Sequence, residues 1–259
     1  MRGERVRVLI SNDDGIAAPG IHALAREIRK IADVTIVAPD RQQSAVGHAI
    51  TMNHPLRVVR QMVDGDLPGY AVDGTPADAV KLGVRYLMKE RPDLVLSGIN
   101  HGSNTAVNIL YSGTVSAATE GTVLGIPSVA VSLTTYDTPD FAYAAKFTAR
   151  LARLIVERGL PTGTLLNVNV PAVPEEMIAG VRLTRQGRSS WEDTFDVRRD
   201  PANREYFWLT GKMIINDADP LTDQVAVTEN FVSVTPIHYD LTDEETRGNM
   251  AAWGVERLR

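Results

Sequence analysis

The sequence predicts an α/β protein whose mostly parallel sheet is covered by helices on both faces. In the first half of the chain, short apolar and β-branched runs alternate with amphipathic segments, which is typical of βαβ units. The runs are almost continuously apolar, as expected for strands buried on both faces. Beyond about residue 180 the sequence becomes polar and rich in loop-forming residues. We therefore expect a catalytic core over residues 1–180 and a C-terminal extension over residues 181–259.

The core strands are predicted from five apolar runs, each of about five residues. They cover residues 6–10, 34–38, 94–97, 128–133 and 165–170. Amphipathic segments between them predict helices. The first predicted helix covers residues 20–31 and follows Pro19. The second begins at the capping sequence Thr75-Pro76-Ala77-Asp78. The third begins at Thr138-Pro139-Asp140 and ends near Gly159.

The extension contains breakers such as Asp200-Pro201 and Asp219-Pro220 between short apolar pieces. We predict strands at residues 206–209, 225–227 and 231–235. A two-stranded arm is rarely stable alone, so we expect this extension to pack on a second subunit as an oligomerisation hairpin.

Composition excludes several classes of protein. With 259 residues, of which 44% are hydrophobic, the chain is long enough to bury a core without disulfides or structural metals. It has no cysteine, which excludes disulfides, thiolate metal sites and cysteine nucleophiles. We find no secretion signal or membrane-spanning run and expect a cytoplasmic protein without a membrane partner. The formal net charge of −5 argues against a stable nucleic-acid partner. The motifs G-x-S-x-G, Walker A, G-x-G-x-x-G and H-E-x-x-H do not occur, which disfavours four common enzyme classes.

Oxygen-bearing side chains follow three of the predicted strands. Asp13 and Asp14 follow the first, Ser44 the second, and Asn100 the strand at 94–97. The carboxyl ends of parallel strands meet at one sheet edge, so these side chains should converge there. Two carboxylates, a hydroxyl and an amide suit Mg²⁺ or Mn²⁺. The alternative for Asp-Asp-Gly is a solvated turn or helix cap, but adjacent like charges after a buried strand favour a cation.

A second candidate is the Ser112-Gly113-Thr114 segment, which precedes a helix-like run of small residues. Free amides at a helix start and the two hydroxyls can donate to phosphoryl oxygens. Ordinary Ser/Thr helix capping would give the same pattern.

Other polar residues have more than one interpretation. Ser44 and His48 could form a nucleophile and base, although a histidine in a polar loop is more often solvated. Arg41 could balance phosphate charge or simply lie on the surface near Asp40. His101 is similarly ambiguous.

Taken together, these motifs resemble the SurE family of survival proteins, which are 5′/3′-nucleotidases. The matching blocks occur in order along most of the chain. They are residues 11–20, 38–44, 47–48, 74–78, 92–100, 110–118, 125–132, 166–171 and 233–236.

The resemblance implies a Rossmann-like three-layer α/β/α core and hydrolysis of nucleoside 5′- and 3′-monophosphates. It implies one divalent metal ion per subunit, Mg²⁺ or Mn²⁺, held by Asp13, Asp14, Ser44 and Asn100, and phosphate contacts near Ser112, Gly113 and Thr114. It also implies a homodimer or homotetramer that exchanges C-terminal segments. The chain departs from the family pattern at Ala45-Val46, His101 and Ser103, where smaller residues are expected.

Under this hypothesis a metal-bound water attacks the phosphate in line, with Asp13 or Asp14 as general base. Ser44 would contact metal or phosphate, and Asn12 and Asn104 are further donors. Two alternatives remain open. One is covalent catalysis by Asp13 or Ser44, and the other is a regulatory protein that binds nucleotide without cleaving it.

Overall fold

A computed structural model describes residues 5–135, 137 and 139–258 and shows the predicted α/β architecture. A nine-stranded sheet has the order β3-β4-β2-β1-β5-β6-β7-β11-β8, and the six strands from β4 to β7 run parallel. Its strands are β1 (Arg7–Ser11), β2 (Asp33–Pro39), β3 (Val58–Val63), β4 (Leu67–Val72), β5 (Leu94–His101), β6 (Ser128–Leu133), β7 (Thr164–Val170), β8 (Gly180–Leu183) and β11 (Phe231–His238).

Helices cover both faces of the sheet. They are α1 (Pro19–Ile28), α2 (Pro76–Leu82), α3 (Asn108–Tyr111), α4 (Gly113–Val123), α5 (Ala142–Arg158), α6 (Asp223–Thr228) and α7 (Glu244–Met250). The α1 and α5 helices pack together on one face, and α2 and α4 on the other. Fully buried Leu9 and Ile10 of β1 point to opposite faces, and each contributes about 1.5–3 kcal/mol by burial. The predicted three-layer class is confirmed.

The predicted helix boundaries are confirmed where local capping decides them. Thr75 and Asp78 form a reciprocal capping box at the start of α2, and α5 ends at Gly159, whose φ is 75°. The third helix begins at Ala142 rather than at the Thr-Pro-Asp segment, of which Thr138 lies outside the described residues. Asp140 accepts a hydrogen bond from the Ala142 amide instead.

Two expectations about the C-terminal part are wrong. Residues 225–227 lie in helix α6 rather than a strand. The sheet also does not end near residue 180, because β11 pairs antiparallel with β7 and parallel with β8. Through this long-range strand pairing, β8 and β11 of the expected extension belong to the same sheet as the core strands. The division at residue 180 into two folding units stays a prediction.

The strands β9 (Ser190–Arg199) and β10 (Glu205–Ile214) form a separate antiparallel hairpin. It includes the predicted strand at 206–209. Its register places Phe195 opposite Leu209 and Val197 opposite Phe207, so these four side chains share one face. All four are more than half exposed. Among the described residues, no helix has the length and apolar character needed to cross a membrane.

Candidate functional site

The predicted polar side chains converge where the strand order of the sheet reverses. From β1 the chain builds outward through β2 and β4 on one side, and from β5 outward through β6 and β7 on the other. Ligands of open α/β sheets bind at such a switch point, beyond the carboxyl ends of the strands. Asp13 and Asp14 follow β1 there. Asn100 lies near the end of β5, after a register shift between Ser97 and Asn100.

Asp13 is buried against the start of α4. Its Oδ1 accepts a hydrogen bond from the hydroxyl of Thr114. A Cβ at Gly113 would lie 2.7 Å from the Cβ of Asp13, so glycine permits this close approach. Burial, together with the charge of Asp14, raises the pKa of Asp13 to about 6, although Thr114 opposes the shift. A carboxylate in this position gains from a cation.

His101 and Gly102, the two residues after Asn100, accept or donate the hydrogen bonds that position Asp14 and Asn100. The backbone amide of His101 donates to Asp14 Oδ2 at 3.1 Å, and Asn100 Nδ2 donates to the Gly102 carbonyl at 2.7 Å. The amide oxygen of Asn100 is therefore the atom left to act as a ligand. Burial also raises the pKa of Asp14, against the hydrogen bond from His101.

Ser44 is brought to the site by backbone contacts between two loops. The Gln43 amide donates to the Asp13 carbonyl at 2.7 Å. Gly15 has a φ of 96°, and a Cβ there would lie 3.1 Å from the Arg41 carbonyl carbon, so glycine allows the loops to pack. Ser44 Oγ accepts from Gln42 Nε2 at 2.8 Å, which leaves its own hydroxyl proton free to donate.

His48 is directed at an acidic side chain rather than at Ser44. Its Nε2 lies 2.9 Å from Glu120 Oε2 in α4. Glu120 is buried and also pairs with Lys81 of α2, at 2.5 Å. Burial raises the pKa of Glu120, but the hydrogen bonds from His48 and Lys81 outweigh burial and hold it below its usual value. His48 thus ties the Ser44 loop to the core, and the structure offers no support for a Ser44–His48 catalytic pair.

Most of the predicted site residues line one cavity of about 310 Å³. Its described lining is Asp13, Asp14, Gln42, Ser44, Ala45, Asn100, His101, Ser103, Asn104, Asn108, Tyr111, Ser112 and Trp191. Three predicted residues do not line it and are buried: Asn12, Gly113 and Thr114. The hydroxyl of Thr114 donates to Asp13, which does line the cavity. Asn104 reaches the cavity, but its Nδ2 donates inward to Ser132 Oγ at 2.8 Å.

The chemistry of the lining fits a hard divalent cation. In the part of the chain that the structure describes, no three His, Cys, Asp or Glu side chains are arranged so that they could hold a metal ion by themselves, so soft or histidine-rich sites do not fit. Two carboxylates, one hydroxyl and one amide are the oxygen ligands that Mg²⁺ and Mn²⁺ accept while keeping several waters. Close behind them, the Oδ1 of Asn12 is buried and finds no hydrogen-bond partner among the described residues.

The cavity has little positive charge of its own. Among its described lining residues, His101 is the one side chain able to carry a positive charge. Arg41, considered for phosphate binding, is exposed and lies 4.0 Å from Asp40. An anion entering this cavity therefore meets two carboxylates and gains mainly from a bound cation.

Sequence reasoning missed Asn108, Tyr111 and Trp191 as cavity residues. Trp191 belongs to the hairpin, and its Nε1 donates to Asn108 Oδ1 at 2.7 Å across 83 positions of sequence. No periodicity or spacing signals such a contact. Tyr111 could have been found, because it directly precedes the Ser112-Gly113-Thr114 segment.

Comparison with known proteins identifies the family. A model of the Survival protein SurE family matches residues 8–193. The chain belongs to the SurE family. It is 48% identical to a protein of Syntrophobacter fumaroxidans named 5′-nucleotidase SurE, over 96% of this chain and 100% of that one. Identity is 50% to the protein of the same name from Natranaerobius thermophilus, over 96% and 98%.

A solved SurE structure extends the likeness to three dimensions. The SurE protein of Aquifex aeolicus superposes with a TM-score of 0.83 and 40% identity, covering 95% of this chain and 99% of that one. The matched family region ends at residue 193, just beyond Trp191. Every described residue of the cavity thus lies inside the SurE match.

Proposed function

We propose that the chain is a divalent-metal-dependent phosphomonoesterase that hydrolyses nucleoside 5′- and 3′-monophosphates to nucleoside and phosphate. The observation that carries this proposal is the Asp13–Asp14 pair in a polar cavity whose described lining has no lysine or arginine. Such a cavity suits a phosphate only when a cation lies between the phosphate and the two carboxylates. The relatives named 5′-nucleotidase SurE support nucleotides as the substrates.

We assign the metal to Asp13, Asp14, Ser44 and Asn100, with one Mg²⁺ or Mn²⁺ per subunit. All four line the same cavity, and all offer oxygen. A divalent ion bound there would neutralise phosphoryl charge and lower the pKa of a coordinated water. Asp13 and Asp14 are the carboxylates that line the cavity, so one of them takes the proton of the attacking water.

The start of α4 is assigned to the phosphate. Ser112 Oγ accepts from the Val115 amide at 3.1 Å, which leaves the Ser112 hydroxyl proton available for a phosphoryl oxygen. Gly113 allows Asp13 to lie against this helix start, and Thr114 orients the Asp13 carboxylate. Asn12, Ser44 and Asn104 complete the proposed set of phosphate-binding residues. Ser44 and Asn104 line the cavity, whereas Asn12 is fully buried and would act indirectly, by holding the loop that carries Asp13 and Asp14.

A substrate and metal panel tests this function. Phosphate release from nucleoside 5′- and 3′-monophosphates should require Mg²⁺ or Mn²⁺ and stop with chelator. Asp13→Asn should reduce turnover by about 10³-fold or more, because it removes a ligand charge and a candidate base together. Arg26→Ala, at an exposed ion pair with Asp64, is the control and should keep full activity. Full activity in chelator would refute the proposal.

Two rival functions give different outcomes in the same panel. If the protein only binds nucleotide, it will hold nucleoside monophosphates with Mn²⁺ but release no phosphate. If Asp13 or Ser44 acts as a nucleophile, a phosphorylated enzyme will accumulate on rapid quenching. The hydrogen bond from Thr114 to Asp13 favours a fixed ligand over an attacking group.

The β9–β10 hairpin is assigned to assembly. Four neighbouring apolar side chains on one of its faces are each more than half exposed, and such a face suits a second copy in a homodimer or homotetramer. The absence of cysteine supports a cytoplasmic location, and the net charge of −5 supports no stable nucleic-acid partner.

A further inference from the structure

A second cavity adjoins the proposed metal and phosphate cavity. Its volume is about 690 Å³, and the two cavities share the residues Ala45, Asn108, Tyr111 and Trp191. The rest of its described lining comes from Val107 and from the hairpin, through Ser190, Asp193, Leu209, Thr210 and Gly211. A ligand with its phosphate near Ser112 can therefore extend directly into this second space.

The two cavities differ in chemistry. The first contains two carboxylates together with amides and hydroxyls. In the second, five of the ten described lining residues are aromatic or aliphatic, including Val107 and Leu209, and Asp193 is the one carboxylate among them. A nucleoside monophosphate has the same division, with a charged phosphate at one end and a flat, uncharged aromatic base at the other. The order of the two cavities matches the order of the groups in such a substrate.

Trp191 is fixed at the boundary between the cavities. Its indole nitrogen donates to Asn108 Oδ1 at 2.7 Å, and 43% of its surface remains exposed. The hydrogen bond restrains the ring before any ligand binds, so little side-chain freedom is lost on stacking. Tyr111 is 57% exposed and lies one residue before the proposed phosphate ligand Ser112.

We propose that Trp191 and Tyr111 form a nucleobase subsite, in which the base of the substrate stacks while its phosphate lies against α4. The proposal rests on the proposed nucleotidase function and assigns where its specificity arises. Because every base has an aromatic face, stacking accepts purines and pyrimidines alike. The subsite therefore selects nucleotides over phosphate esters that lack a base, with weak preference among bases.

The test compares two substrates that differ in the base alone. Adenosine 5′-monophosphate and ribose 5-phosphate carry the same phosphoester, so the ratio of their kcat/KM values isolates the base. Trp191→Ala should lower kcat/KM for adenosine monophosphate about tenfold, mainly through KM, and leave ribose 5-phosphate within about twofold. Trp191→Phe should restore most of the ratio, and Tyr111→Ala should lower it in the same direction.

Trp208→Ala is the matched control. Trp208 lies on the same hairpin but pairs with Asp196 on the opposite face, outside the described lining of both cavities. Its loss should leave the substrate ratio unchanged. If Trp191→Ala lowers kcat/KM equally for both substrates, Trp191 has a structural role and the subsite is overturned. If the variant changes only its oligomeric state, Trp191 belongs to an interface and the subsite is likewise overturned.

Failure of the subsite can be told from failure of the nucleotidase function. If wild-type protein hydrolyses neither substrate with Mg²⁺ or Mn²⁺, the proposed function fails, and equilibrium binding with Mn²⁺ then decides the subsite. Tighter binding of adenosine monophosphate than of ribose 5-phosphate, lost in Trp191→Ala, supports it. Equal binding of the two ligands by wild-type protein overturns it.

Discussion

Asp13 shows how a proposed metal ligand is held at a cost to the fold. It is buried beside a second carboxylate and near the start of α4, and Thr114 is its hydrogen-bond donor. Its pKa is raised to about 6, so between about pH 4 and pH 6 the metal-free folded protein holds a proton that the unfolded chain has released. The stability contributed by that proton is present below about pH 4 and is lost as the pH rises through about 6.

Asp13→Asn should therefore stabilise the metal-free protein at pH 8. The raised pKa sets an upper limit of about 3 kcal/mol on the gain in unfolding free energy, and we expect about 1–3 kcal/mol. Urea unfolding in chelator at pH 5 and pH 8 measures the gain, which should shrink at the lower pH. Saturating Mn²⁺ should stabilise wild-type protein and have little effect on the variant. A variant less stable than wild type in chelator at pH 8 would contradict this account.

At the scale of elements, the loop that carries Ser44 is anchored by two buried carboxylates on different helices. Glu120 of α4 contacts His48, and Asp78 of α2 accepts from the amide and hydroxyl of Thr51, at 2.9 and 2.6 Å. Because α4 also positions Asp13 and Ser112, one rigid helix sets the distance between the proposed metal and phosphate groups. The geometry of this loop thus depends on the packing of helices, and the contact of His48 with Glu120 assigns His48 a positioning role.

His48→Ala should weaken metal activation more than it lowers maximal turnover. Loss of a hydrogen bond to a charged group costs about 1.5–3 kcal/mol, part of which will appear as loosened positioning of Ser44. We expect the Mn²⁺ concentration for half activity to rise about three- to tenfold, with kcat at saturating metal within about threefold. His48→Gln keeps a donor and should recover part of the affinity. An unchanged metal requirement, or a loss of kcat alone, would refute this positioning role.

At the scale of the whole molecule, the hairpin has an apolar face that the rest of the described subunit does not cover. Phe195, Val197, Phe207 and Leu209 form one exposed face, while the opposite face carries charged and polar pairs such as Thr194 with Thr210. The base of the same hairpin supplies Trp191 to the cavity. The proposed assembly contact and the proposed nucleobase subsite therefore share one structural element.

Phe207→Asp should shift the assembly toward monomers. A charge in the centre of an apolar contact must be desolvated on association, which costs several kcal/mol. Light scattering after size-exclusion chromatography measures the mass. Tyr206→Asp introduces the same charge on the neighbouring residue of the opposite face and should leave the mass unchanged. If Phe207→Asp keeps the mass of the wild-type protein, the apolar face is not the contact.

The sequence by itself determined what local patterns encode. Five core strands, the capping box at Thr75 and Asp78, and the stop at Gly159 follow from hydrophobicity and backbone preferences that act within a few residues. The placement of Asp13, Ser44 and Asn100 after parallel strands followed too, because a parallel sheet brings those ends together. The structure then placed these three side chains in one cavity.

Only the tertiary structure decided which distant segments meet. Three contacts join segments that local patterns treat separately: β11 with β7, His48 with Glu120 and Trp191 with Asn108. Residues 225–227 form a helix although their local pattern favours a strand. Each depends on the competition among many burial and pairing arrangements of the whole chain. A short window of sequence does not predict which arrangement is most stable, because the free energy that decides between the arrangements is gained only when the complete core is packed.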